Sequence, residues 1–184
     1  MTDYKGLSRE ELGNAPVKEL PRLVAIRPVK IEDAADINRM RTMSGVMENI
    51  LGMASERVSD AEAFIRALSP NDHMLVAELN KTVVGCAGLQ VSLKPRTCHT
   101  GGIGIMVHAD HQKQGIGKAL MTAILDIADN WLKLKRVELC VFVENEAAIA
   151  LYRKFGFVVE GTKKYGAVRN GFYADEYLMA RYGK

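Results

Sequence analysis

Residues 103–121 read IGIMVHADHQKQGIGKALM, and this stretch decides the fold. Its first half, Ile103 to Val107, is β-branched and apolar, as a strand requires. Its second half begins an apolar stripe, Ile116, Leu120, Ile124, Ile127 and Trp131, spaced by four, four, three and four residues. That period predicts a helix from Gly115 to Trp131. Between them lies the turn Gln112-Lys113-Gln114-Gly115-Ile116-Gly117. Gly115 and Gly117 remove side chains where a backbone can approach something closely. The first turn of a helix carries free N–H groups and a partial positive charge. Lys113 and Lys118 add formal charge, so the turn has the makings of an anion site for a phosphate or pyrophosphate.

Short phosphate motifs can be tested against it. The pattern GxxxxGK[ST] occurs nowhere in the chain. A dinucleotide fingerprint GxGxxG fails because Leu120 stands at its last position. The pattern Q/R-x-x-G-x-G/A is met by Gln112, Gly115 and Gly117. A second constellation follows at residues 137–157, VELCVFVENEAAIALYRKFGF. A strand ends near Asn145, a helix follows, Tyr152 sits seven residues after Asn145, and Gly156-Phe157 closes the segment. Together, in this order, the two motifs resemble the GNAT superfamily of N-acetyltransferases, over about residues 23–182. The ending RNGFYADEYLMAR is similar to that of the YhhY-type bacterial amino-acid N-acetyltransferases.

The resemblance implies an α/β GNAT fold: a mixed, mostly antiparallel sheet with a central parallel β-α-β unit and flanking helices. It also implies transfer of an acetyl group from acetyl-coenzyme A to a primary amine, the α-amino group of a free amino acid or a related small molecule. By the same likeness, the backbone of Ile105, Met106 and Val107 pairs with the pantetheine arm, and the N–H groups of Lys113, Gln114, Gly115, Ile116, Gly117 and Lys118, after Gln112, receive the pyrophosphate. Asn145 is matched to a pantetheine contact, Lys154 to the nucleotide phosphates, and Tyr152 to the general acid. A departing thiolate, whose thiol has a pKa near 8.5, needs a proton, and a well-placed phenol of pKa about 10 can supply it. Asn145 can equally be a helix N-cap, and Tyr152, three residues from both Ile149 and Phe155, can equally be core.

A general base is harder to find. Where some relatives in the superfamily carry a Glu on the fourth strand, this chain has Gly101 and Ile103; five residues before Asn145 it has Cys140. His99, Glu138 and Glu144, or an ordered water, are the candidates left, and an amine that arrives neutral needs none. The Met-rich stretch from Ser44 to Arg57 is expected to wall the acceptor site, with Glu48 and Asn49 as polar anchors. His99 and Glu138 complete the residues expected near the acceptor. Direct transfer in a ternary complex is expected rather than an acyl-cysteine, since no clear Cys–His pair occurs. The alternatives are a non-catalytic acyl-CoA sensor on the same fold, and a protein or peptide N-acetyltransferase.

The remaining chain fits around this centre. Leu23–Val29 reads as a strand and Ile31–Met43 as a helix; Ser59, with Glu62 three residues on, reads as the cap of the next helix. His73–Leu79 and Thr82–Val91 form a hairpin through Asn80-Lys81. Strands follow at Cys98–Val107 and Val137–Val143, a helix at Asn145–Phe155, and strands near Phe157–Thr162 and Tyr173–Ala180. Residues 1–22, polar and broken by Pro16 and Pro21, are expected to be an N-terminal extension to a domain at 23–184. With 48% hydrophobic and 26% charged residues, the 184-residue chain can bury a sizeable core. A net charge of +3 with no basic stripe argues against nucleic acid. No apolar run is long enough for a bilayer, and no signal-like segment occurs. The odd cysteine count (Cys86, Cys98 and Cys140) without a CxxC pair fits reduced thiols in a cytoplasm and no metal. A homodimer through the C-terminal strands is expected from the superfamily likeness.

Overall fold

A computed structural model describes residues 24–183, so the expected extension at 1–22 lies outside the described residues. Seven strands form one sheet in the order β1-β2-β3-β4-β5-β7-β6. They are β1 (Ala25–Pro28), β2 (Asp72–Leu79), β3 (Thr82–Val91), β4 (Thr100–Val107), β5 (Arg136–Phe142), β6 (Val158–Arg169) and β7 (Phe172–Tyr182). Neighbouring strands pair antiparallel except β4 with β5. The single parallel pair is the one whose crossover is the long helix, because a parallel connection needs such a crossover. This is the mixed α/β architecture expected from the sequence.

Four α-helices occur among the described residues: α1 (Ala34–Thr42), α2 (Val58–Arg66), α3 (Ile116–Asp126) and α4 (Glu146–Lys154). Helices α3 and α4 cover one face. Ile116, Leu120 and Ile124 of α3 pack there with Ile149 and Tyr152 of α4 over Leu75, Leu89, Ile103 and Leu139 of the sheet. On the other face Ile37 and Met40 of α1 and Ala61 of α2 meet Val76, Val83, Cys86 and Met106. Alternate residues of β2, β3 and β4 thus feed two separate cores, as the two-residue repeat of a strand demands. The hairpin turns are sharp because two residues of each adopt positive φ: Asn80 (50°) with Lys81 (66°), and Asn170 (51°) with Gly171 (83°).

Three local expectations are corrected. Helix α2 begins at Val58, not after Ser59, because the Asp60 carboxylate accepts the Arg57 N–H at 2.8 Å and caps the helix two residues earlier. Cys98 and His99 belong to a turn, and β4 starts at Thr100. The apolar stripe of α3 does not run on to Trp131. The helix widens into one π turn at Ile127–Trp131, closed by a Leu132 N–H to Ile127 C=O bond of 3.0 Å. The extra residue rotates Trp131 off the stripe, leaving it 77% exposed with its indole N–H donating to Asp126 at 3.3 Å.

Candidate active site

The site begins where β4 and β5 part. They pair only at Thr100–Arg136, Gly101–Val137 and Gly102–Glu138. Beyond that, β4 stays bound to β3 as far as Val107, and β5 to β7 as far as Phe142. Each strand is held on its outer side while the inner edges separate. The opening is a cleft of about 380 Å³, with Ile103–Val107 on one wall and Cys140–Phe142 on the other. Such a seam leaves main-chain donors and acceptors of β4 without a strand partner, and these need one from elsewhere.

At the top of the cleft is the glycine turn. Lys113 (φ 59°) and Gly115 (φ 85°) both take left-handed backbone, and Gly115 is the N-cap of α3. The first helical bond runs from Ala119 N–H to Gly115 C=O at 3.0 Å. Among the described residues nothing takes up the N–H groups of Ile116, Gly117 and Lys118, which follow from the geometry of any helix start. The Gln112 amide braces the turn by donating to Val107 C=O at 3.2 Å, and Gln114 donates to Asp110 C=O at 2.9 Å. Gln112, Lys113 and Gly117 line the cleft; the Ile116 side chain is in the core. A Cβ at Gly117 would lie 3.3 Å from Leu151, on the cleft wall. The backbone, not a side chain, therefore fronts the opening at this position.

From the other wall comes α4. Asn145 accepts the Ala148 N–H at 3.1 Å, the N-cap arrangement, and it also lines the cleft. Tyr152 likewise serves twice. Its ring lies 5.8 Å from that of Phe157 in the core, and the residue faces the cleft while only 5% exposed. Burial pushes its phenol up to about 12, so it is fully protonated near neutrality. Lys154, by contrast, is exposed at the end of α4 and does not line the cleft.

The loop between α1 and α2 roofs the opening with Gly45, Val46, Asn49, Ile50 and Leu51. The expected methionine wall is replaced here by branched aliphatic side chains: Met43 packs toward the α1–α2 core, and Met53 is 66% exposed. Glu48 folds the loop rather than facing the cleft, accepting the Gly45 N–H at 2.8 Å and the Ser44 hydroxyl at 3.1 Å. Arg169 of β6 fastens this roof. It donates to Glu48 C=O at 2.7 Å and to the Asn49 side chain at 3.0 Å, with its guanidinium 5.3 Å over the Phe142 ring.

His99 and Glu138 are not brought to this place. His99 sits in the turn before β4, at the closed end of the seam. Glu138 turns to Arg136, which donates to it at 2.7 Å. Two ionisable groups that were not expected as acceptor contacts do line the cleft, Cys140 and Glu176. Burial, and next the Glu176 charge, raise the Cys140 thiol above its ordinary range. Glu176 lies on the β7 face shared by Ala174, Leu178 and Ala180; a carboxylate interrupting that stripe was the available sequence signal. No set of three or more His, Cys, Asp or Glu side chains is placed to hold a metal among the described residues.

Comparison with known proteins agrees with this geometry. The profile described as Acetyltransferase (GNAT) family matches residues 43–157. The L-amino acid N-acetyltransferase AaaT of Escherichia coli (strain K12) is 36% identical over 165 residues, 86% of this chain and 97% of that protein. A crystal structure of an acetyltransferase of the GNAT family from Streptococcus pneumoniae superposes with a TM-score of 0.76 at 27% identity, covering 88% of this chain and 99% of that one. The fold is shared with spermidine N-acetyltransferase from Vibrio cholerae, solved in complex with CoA and spermine. There the TM-score is 0.77 at 23% identity, over 88% of this chain and 96% of that one. The parted strands, the glycine turn and these matches place the chain in the GNAT family of acetyltransferases.

Proposed function

We propose that the cleft takes acetyl-coenzyme A as donor and transfers its acetyl group to the α-amino group of a free amino acid or a related small amine. The observation that carries this reading is the parted β4–β5 seam, which puts free helix-start N–H groups, an unpaired strand edge and a buried phenol on one opening. The residues fit the donor in turn. N–H groups from Lys113 to Lys118 would hold the pyrophosphate, with the Lys113 charge beside them. Main-chain groups of Ile105, Met106 and Val107 would pair with the pantetheine arm, and an N–H there would polarise the thioester carbonyl. Asn145 would bind a pantetheine amide while remaining the cap of α4. Lys154 would meet the outer phosphates.

Tyr152 would give its proton to the departing thiolate. A phenol kept neutral by burial is in the correct state for an acid, and it holds that state at any pH the enzyme meets. Cys140 is the wrong state for a nucleophile, since its thiol is held protonated, which favours direct attack by the amine. The likeness to an L-amino acid N-acetyltransferase over nearly all of that protein supports the small-acceptor reading.

Two further expectations belong here. A homodimer through β6 and β7 is supported by the exposed Val168, Phe172 and Tyr173 on the hairpin whose β6 forms the sheet edge. A reducing, cytoplasmic setting is supported by three free cysteines. A thiol-release screen with acetyl-CoA and the twenty standard L-amino acids, spermidine and short peptides tests the function. Release with free amino acids is the expected result. Release with peptides alone would overturn the acceptor class, and acetyl-CoA binding without release to any amine would favour a sensor.

A further inference from the structure

Only two charged side chains are buried among the described residues, Asp33 at 6% and Glu176 at 5% exposure. Asp33 is fully employed. It receives both terminal nitrogens of Arg27 at 2.8 Å and the Lys30 N–H at 2.7 Å. Glu176 is not. One oxygen, Oε2, takes a single bond of 3.2 Å from Lys163, a side chain itself 60% exposed. The other, Oε1, has no hydrogen bond among the described residues. A carboxylate buried with so little compensation is costly, and the fold has shaped itself to keep it.

The strand beside it bulges. The β6–β7 register breaks between Lys163 and Ala167, and Tyr165 takes a φ of 51°. The bulge is pinned by Asp175, which accepts the Tyr165 N–H at 3.0 Å and the Lys164 ammonium at 2.6 Å. Gly166 then lies so close that a Cβ there would stand 2.5 Å from Glu176 Oε2. Glu176 pairs across the sheet with Phe142, so it projects to the face of Cys140 and Phe142, away from α3 and α4. It lines the same cleft as Tyr152 and Asn49.

We infer that Glu176 binds the acceptor's ammonium group in the cleft and takes its proton, serving as the general base of the transfer. This rests on the donor placement given under the proposed function. The amine nitrogen forms a bond to the thioester carbonyl carbon as the C–S bond breaks with its electron pair on sulfur. One ammonium proton goes to Glu176 and on to solvent. Tyr152 protonates the sulfur and is restored by the second proton leaving nitrogen. Of the charged and titratable groups on the elements around Glu176, Lys163 and Arg169 lie on β6, Cys140 and Glu138 share its face of the sheet on β5, Glu144 follows β5 beside Arg169, and Tyr152 of α4 lines the same cleft. Lys163 is the one in contact.

Steady-state kinetics of Glu176→Gln, with the best amino-acid acceptor and with hydroxylamine, tests this. Hydroxylamine is mostly neutral at pH 7 and needs no base. For the amino acid, kcat/KM at pH 7 falls roughly 100-fold or more, while for hydroxylamine it stays within about threefold. Equal activity of both proteins on the amino acid, or an equal loss with both acceptors, overturns the assignment. If Glu176→Gln does not fold, Glu176→Asp decides. Drawing the carboxylate back by one methylene lowers kcat/KM roughly tenfold or more for the amino acid and leaves it within about threefold for hydroxylamine, whereas an equal change with both acceptors overturns the role. Calorimetry with acetyl-CoA on the unsubstituted enzyme separates the two levels. Absent binding would sink the donor placement, while binding retained beside full Glu176→Gln activity would sink only the base.

Discussion

The two halves of the β4–β5 seam are built from the same two strands and do opposite things. In the closed half, Gly101 is buried, and a Cβ there would stand 2.8 Å from Leu89 and 2.9 Å from Leu134. The strands meet and, on the face packed by Leu89 and Leu134, there is no room for anything extra, although a Cβ at Gly102 on the opposite face would touch nothing within 4 Å. In the open half, a Cβ at Gly104 would touch nothing within 4 Å. Glycine has two uses within one strand, close approach in the first case and open floor in the second. On the proposed reading, function sits where the sheet stops being regular, and stability where it is regular.

Substitutions can break that contrast. The largest effect is expected from Gly117→Asp, which adds bulk to the cleft wall and a negative charge where the pyrophosphate would lie. Acetyl-CoA binding should vanish in calorimetry while the melting temperature hardly moves; retained affinity would separate the glycine turn from the donor. Next comes Tyr152→Phe, which keeps the ring against Phe157 and removes only the proton. Turnover should drop about 100-fold with acetyl-CoA affinity unchanged. Gly101→Ala sharpens the other side of the comparison. Overpacking the closed half should cost about 1–3 kcal/mol. For a chain of this size that lowers the melting temperature by roughly 2–4 °C per kcal/mol. The properly folded fraction should bind acetyl-CoA normally.

The smallest effect on the cleft is expected at Asp33, far from the seam. Burial pushes its carboxyl up, but the Arg27 side chain and the Lys30 N–H outweigh that and hold it below the ordinary carboxylate range. A carboxyl lowered on folding contributes stability that is complete above its unfolded value and is lost as pH falls through its folded one. Asp33→Asn should therefore destabilise by about 1–3 kcal/mol at pH 7. The gap between the two proteins in urea titrations should close as the pH is lowered. A gap independent of pH would mean that the lost contact is steric rather than ionic.

Much of this was legible in residue order alone. Thr82–Val91 was bounded correctly because Asn80-Lys81 before it and Pro95 after it are turn-formers. The strand–turn–helix at Gln112 carries its own punctuation in two glycines. The parting of the strands was not legible, because it depends on β5 pairing with β7, whose partner residues lie 34 to 46 positions along the chain. Glu176 was missed for a related reason: it interrupts the apolar alternation of β7, but its burial comes from the bulged β6 folding over it, which lies outside that stretch of sequence. His99 was misplaced by reading β4 two residues long, since Cys98 and His99 continue the strand's β-compatible run while their backbone has already turned. The roof of the cleft falls within residues 44–57, where a wall was expected, but the side chains that face inward, Val46, Ile50 and Leu51, are set by how the loop coils around Glu48.

The widened turn after α3 has a spectroscopic consequence. It delivers the chain's one tryptophan to solvent, tethered to Asp126. Native emission should already be red-shifted and open to quenching by acrylamide, and denaturation should change its colour little. Unfolding of this enzyme would pass almost unseen in the fluorimeter while its circular dichroism collapsed.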